Sequence, residues 1–221
     1  MSEPKFKIYV AAAITAGALA AVGSVFAWRI GDPGKLLGYL ILTWFASTVK
    51  TRIPGVTGSV SLGFVAVLTG VAVMSLSETV LGVTGAALVQ TFWRPKHRPV
   101  RVQVAFNVSV LAASTWIAYT LAHAAAPHSP LLRVAAAVVP LYFFNTGAVA
   151  GVLSLMSGTS LEVVWDKFLF AAFPCYVMGA VLAALMVEAN LVSAGWLPVL
   201  AAAGLSYTIF NYYRNWLSRF A

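Results

Sequence analysis

Residues Ile8–Trp28 read IYVAAAITAGALAAVGSVFAW, an unbroken apolar run without a single charged side chain. An α-helix rises about 1.5 Å per residue, so roughly 20 such residues cross the ~30 Å hydrocarbon core of a bilayer. The preceding MSEPKFK gives the run the look of a signal peptide. It is long for a signal core, however, and further apolar runs follow, so it reads as a retained first span.

Working outward, punctuation by charge, proline and glycine divides the chain into eight apolar segments. After Ile8–Trp28 come Leu36–Val49, Val60–Met74, Thr79–Trp93, Val102–Ala126, Leu131–Met156, Lys167–Val187 and Leu191–Trp216. The second and fourth are short and are expected to tilt little, to sit inside the bundle or to be re-entrant. The predicted fold is all-α: one integral membrane domain over residues 1–221, a polytopic bundle of about eight spans.

Composition agrees. Of 221 residues, 61% are hydrophobic and 9% charged, and the mean hydropathy is +0.88. Soluble domains carry about 25% charged residues, so this surface is expected to face lipid. No stretch is long or polar enough for a soluble catalytic domain. The net charge of +8 is read as basic loops meeting anionic lipid heads rather than as a nucleic-acid surface. Cys175 stands alone in an apolar run and can form no internal disulfide.

The basic residues orient the bundle. With the N-terminus inside, Lys5, Lys7, Lys50, Arg52, Arg94, Lys96, Arg98, Arg101, Lys167, Arg214 and Arg219 fall on the inner side, and Arg29, Lys35 and Arg133 on the outer. This alternation predicts cytoplasmic termini in a bacterial inner membrane. The loop Arg94–Arg101, with Arg94, Lys96, Arg98 and Arg101, is the candidate contact for lipid heads or for an acidic partner.

Chemistry-bearing motifs are few. No HExxH, GxSxG, Walker, GxGxxG or CxxC pattern occurs. His123, His128 and Glu78 could meet on the outer side around a metal, but interfacial histidines are the simpler reading, and no metal or cofactor is expected. All six carboxylates fall in loops or at span ends, which argues against an ion-coupled pump. The polar groups left at membrane depth are uncharged. Asn107 and Asn145 must face the interior, because an unpaired amide is costly in hydrocarbon. They are candidate ligand contacts or interhelical bonds, and Trp116, deeper than the other tryptophans, is a candidate pocket wall. Pairs such as Ala13/Gly17, Gly147/Gly151 and Gly179/Ala183 are expected to let helices approach closely. Pro140, Pro174 and Pro198 are expected to kink theirs.

Several segments share a further pattern. Lys50-Thr-Arg-Ile-Pro-Gly-Val-Thr-Gly-Ser-Val-Ser-Leu-Gly-Phe64 runs into a span, Phe106-Asn107 opens the fifth, and Asn145, Pro174 and Gly179 lie within the sixth and seventh. Tyr212-Tyr-Arg-Asn-Trp-Leu-Ser-Arg219 ends the chain. Together they resemble the N-terminal multi-pass sensor modules of bacterial diguanylate cyclases, HD-type phosphohydrolases and histidine kinases, and more distantly the S-components of energy-coupling-factor transporters. In those sensor modules an effector domain would follow the last arginine, whereas this chain stops at Ala221. The resemblance implies a non-enzymatic module that binds a small or lipid-like ligand, or a membrane-protein partner or second copy, and acts through another chain. The alternatives are a transporter's substrate-binding subunit and a structural accessory subunit.

Overall fold

The computed structural model describes residues 3–28, 31–52, 59–93, 95, 98–189, 204, 208, 212 and 215. Within them the chain forms α1 (Glu3–Phe26), α2 (Pro33–Thr48), β1 (Lys50–Arg52), β2 (Ser59–Ser61), α3 (Gly63–Val73), α4 (Leu76–Phe92), α5 (Arg101–Ala125), α6 (Pro130–Ser157) and α7 (Leu161–Glu188). The expected eighth span, Leu191–Trp216, lies outside the described residues save for isolated positions. Pro4–Phe26, Arg101–Ala125 and Pro130–Ser157 are long and apolar enough to cross a membrane.

Local signals set the helix starts. Asp32 accepts hydrogen bonds from the Gly34 and Lys35 amides ahead of Pro33, and Ser129 caps Pro130 in the same way. Ser75 and Glu78 form a reciprocal capping box, which starts α4 three residues before the expected Thr79. Such caps satisfy amides that have no partner within the helix.

The fold is helical, as expected, and two details depart from the expected boundaries. Between α2 and α3, β1 and β2 form one short antiparallel hairpin, Lys50 opposite Ser61 and Arg52 opposite Ser59. The β-prone Ser59-Val60-Ser61 thus joins a hairpin, and the third helix shortens to 11 residues. At about 1.5 Å per residue it is roughly 16 Å long, half a bilayer core. The second departure is α7, which begins at Leu161 rather than Lys167 because Glu162 and Asp166 ride on its first turns.

The short α3 is the centre of the molecule. Every residue from Ser61 to Ala72 is buried, as expected for a helix apolar on all sides. Around it stand α2, α4, α5, α6 and α7, each packed on the next in that order. Among the described residues α2 and α7 hardly touch. A narrow apolar groove lies between them, lined by Leu42, Phe45, Ala46, Val49, Leu62 and Met186.

Directions follow from paired contacts. A Cβ on Gly70 would meet Tyr39 and one on Gly63 would meet Ser47, so α2 and α3 are antiparallel. Gly82 faces Tyr39 and Gly85 faces Trp44, so α4 runs parallel to α2. The helix α1 lies outside the ring, parallel to α5, and a Cβ on Gly17 would stand 2.2 Å from the Ser109 Cα. This is the backbone approach that small residues permit. The outward side of α1 is apolar over its C-terminal half, with Leu19, Val22, Val25 and Phe26 exposed.

Candidate functional site

The interior face of α5 is the stripe Leu111, Thr115, Ala118, Tyr119 and Ala122; that of α6 is Val134, Ala137, Leu141, Tyr142, Val149 and Leu153. Helical spacing puts Asn107 one turn before Leu111, and Asn145 between Leu141 and Val149. Both asparagines therefore lie on the interior stripes.

They also lie at one level. The Tyr9 ring of α1 is 6.5 Å from the Phe106 ring, and its hydroxyl donates to the Ala148 carbonyl at 3.0 Å. Phe106 and Ala148 thus flank the same point. Asn107 is the next residue on α5, and Asn145 is one turn from Ala148 on α6.

Each amide has one bond. The Asn145 Nδ2 donates to the Tyr176 hydroxyl at 2.8 Å. The Tyr176 ring stacks on Phe64 at 4.3 Å and takes the Tyr142 ring edge-on at 5.0 Å. The Asn107 Nδ2 donates to the Thr91 hydroxyl at 3.3 Å, and that hydroxyl donates to the Ala87 carbonyl. An amide offers two donors and an acceptor oxygen with two lone pairs. The second N–H and the carbonyl oxygen of both asparagines make no hydrogen bond. They are not sealed either: among the described residues the buried side-chain atoms without a partner are the Tyr39 and Thr115 hydroxyls.

Burial changes along the same stripes. Toward the Arg133 end Ala118, Ala122, Ala137 and Leu141 are fully enclosed. Toward the Lys50 end Asn107, Leu111, Asn145, Val149 and Leu153 are only half-buried. The cause is the half-length α3, which begins at the Phe64–Tyr176 stack and fills only the Arg133 half of the ring. The Lys50 half carries the two amides on largely apolar stripes, with Thr146 and Ala150 buried on the neighbouring side of α6.

Trp116 does not join them. It is 37% exposed, and its Nε1 lies beside Gly23 of α1, nine residues and about 13 Å along α5 from Asn107. In the basic loop, Arg98 and Arg101 are exposed at the Lys50 end, beside the start of α1 with the exposed Lys5 and Lys7. Arg94 and Lys96 lie outside the described residues.

The opposite end carries a clasp that the sequence did not reveal. Arg133 donates to the carbonyls of Ala72, Ala126 and Pro127, and the Tyr119 hydroxyl donates to Met74 at 3.3 Å. Both tie down the C-terminus of α3, whose last carbonyls have no partner within the helix. Glu78, though 4% exposed, accepts from the Gly31 and Ser75 amides and the Ser75 hydroxyl. His123 stacks on Tyr119 at 3.9 Å. Among the described residues no three His, Cys, Asp or Glu side chains gather as a metal site would require.

The chain matches no protein-family model, no curated protein and no solved structure.

Proposed function

We propose that the protein is a non-enzymatic, multi-pass module of a bacterial inner membrane, which binds a small or lipid-like ligand, or a protein partner, and acts through another chain. The observation that carries this reading is the pair of amides, Asn107 and Asn145, on the interior stripes of α5 and α6, each with a single side-chain hydrogen bond. Unpaired amide groups at membrane depth cost free energy, and a ligand with matching groups recovers it. Lys5, Lys7, Lys50, Arg98 and Arg101 gather at the same end, and the excess of basic residues there favours a cytoplasmic assignment for it. Its exposed arginines and lysines would meet anionic lipid heads. Gentle detergent purification, followed by mass spectrometry of every protein and small molecule that accompanies the chain, tests the proposal. A bound small molecule together with a second polypeptide is expected. A chain that elutes alone and empty overturns it.

A further inference from the structure

The parallel packing of α1 on α5 brings together two basic segments that are far apart in the sequence. Counting back along both helices, from the Gly17–Ser109 approach or from the Tyr9–Phe106 pair, brings Lys5 and Lys7 level with the Arg98–Arg101 start of α5. Lys5, Lys7, Arg98 and Arg101 are all exposed. Among the described residues Lys5, Arg98 and Arg101 make no ion pair. Of the six carboxylates, Glu3 alone belongs to this flank. Asp32, Glu78 and Glu188 lie at the Arg133 end, and Glu162 and Asp166 ride on the first turns of α7, beyond α6. The two helices also set their positive N-terminal ends side by side. One carboxylate thus answers four cations, and an external anion relieves their mutual repulsion.

Apolar side chains are interleaved with the cations. Ile8, Val100 and Val102 are exposed beside Lys7 and Arg101. At the edge of a bilayer such residues meet acyl chains, while long basic side chains reach the phosphates. An inorganic anion or a soluble acidic protein would answer the charges and leave the aliphatic groups in water.

We infer that the joined starts of α1 and α5 form a seat for an anionic phospholipid. Its phosphate lies between Lys5 on one helix and Arg98 and Arg101 on the other, and its acyl chains run past Ile8 and Val102. The inference rests on reading the Lys50 end as the cytoplasmic face of the bundle, and it turns a general attraction for lipid heads into one seat that spans two helices. The lipid holds α1, which lies outside the ring, against α5.

The test uses the full chain in lipid nanodiscs with a trace of phosphatidylglycerol or phosphatidylcholine, each carrying a diazirine close to the head on identical acyl chains. Peptide mass spectrometry maps the labelled sites. Phosphatidylglycerol is expected to label residues 5–12 and 98–105 at least about fivefold more than phosphatidylcholine, with no such preference at residues 161–168. K5Q, R98Q and R101Q, all at exposed positions, are each expected to lower that labelling roughly two- to fivefold. K35Q, which removes one exposed charge at the other end, is expected to leave it unchanged. Retained helicity would show that the variants are folded. Equal labelling by the two lipids, a preference spread equally over the start of α7, or a loss as large in K35Q refutes the inference. A polypeptide that K5Q and R98Q release from the chain, without any lipid preference, assigns the flank to a protein partner and also overturns it. If the ligand and second polypeptide expected above still co-purify while phosphatidylglycerol shows no preference, the lipid seat alone is wrong.

Discussion

Replacing Arg133 by alanine removes the clasp on α3, and its cost can be worked from the contacts. The Arg133 Nη1 lies 3.1 Å from the Ala72 carbonyl oxygen, and Nε lies 3.1 Å from that of Ala126. Ala72 is fully buried and belongs to the last turn of α3, so neither water nor the helix can replace the lost donor. A buried acceptor left without a partner costs about 1–3 kcal/mol. Loss of a cation at the negative end of a helix adds about 0.5–1 kcal/mol. The Ala126 and Pro127 carbonyls lie in the loop between α5 and α6, where water can take over, and add little. The expected loss is about 1.5–4 kcal/mol, with R133K losing less because an ammonium can still reach one carbonyl. The assay is reversible unfolding in mixed micelles of increasing SDS fraction, followed by far-UV circular dichroism. Because Y119F loosens the same helix end, its loss of about 1 kcal/mol should not add fully to that of R133A. An R133A variant within about 0.5 kcal/mol of the parent would refute the reasoning, since a buried carbonyl cannot be orphaned without cost.

Other outcomes follow from the same packing. Y39F should stabilise the protein by about 1 kcal/mol in the same assay, because the Tyr39 hydroxyl is enclosed without a partner and its removal relieves that cost. G70A should destabilise by about 2–3 kcal/mol, since its Cβ would stand 2.3 Å from the Tyr39 hydroxyl and a packed core resists the added volume. G17A should force α1 away from α5, where the new Cβ would lie 2.2 Å from the Ser109 Cα; a disulfide engineered between the two helices should form more slowly than in the parent.

The seven described helices were legible as apolar runs, and so was the inward facing of both asparagines, because lipid penalises an unpaired amide wherever it is exposed. Boundaries failed where one signal had two meanings. Ser75-Leu-Ser-Glu78 served as a loop by polarity and as a capping box by spacing, and the box prevailed. Glu162 and Asp166 looked like punctuation, yet charged side chains ride on the exposed or half-exposed sides of α7's first turns. Trp116 follows Ser114 and Thr115, and each step turns a helix by about 100°; size and depth alone could not say which of the three faced inward. The central place of α3 depends on contacts with helices far along the chain. Its one sequence signal was an apolar character with no polar side.

The enclosure of α3 also sets an order of assembly. The helix is too short to be held in the hydrocarbon by its own length, and among its walls α4, α5, α6 and α7 all leave the ribosome after it. Its seat between Tyr39 and Phe64's partner Tyr176 is complete only when more than a hundred further residues have been made. The seat of α3 therefore stays open until α7 has been made, and the bundle closes around it from the C-terminal side. Damage to α6 or α7 would then surface first as a failure to bury a segment translated long before.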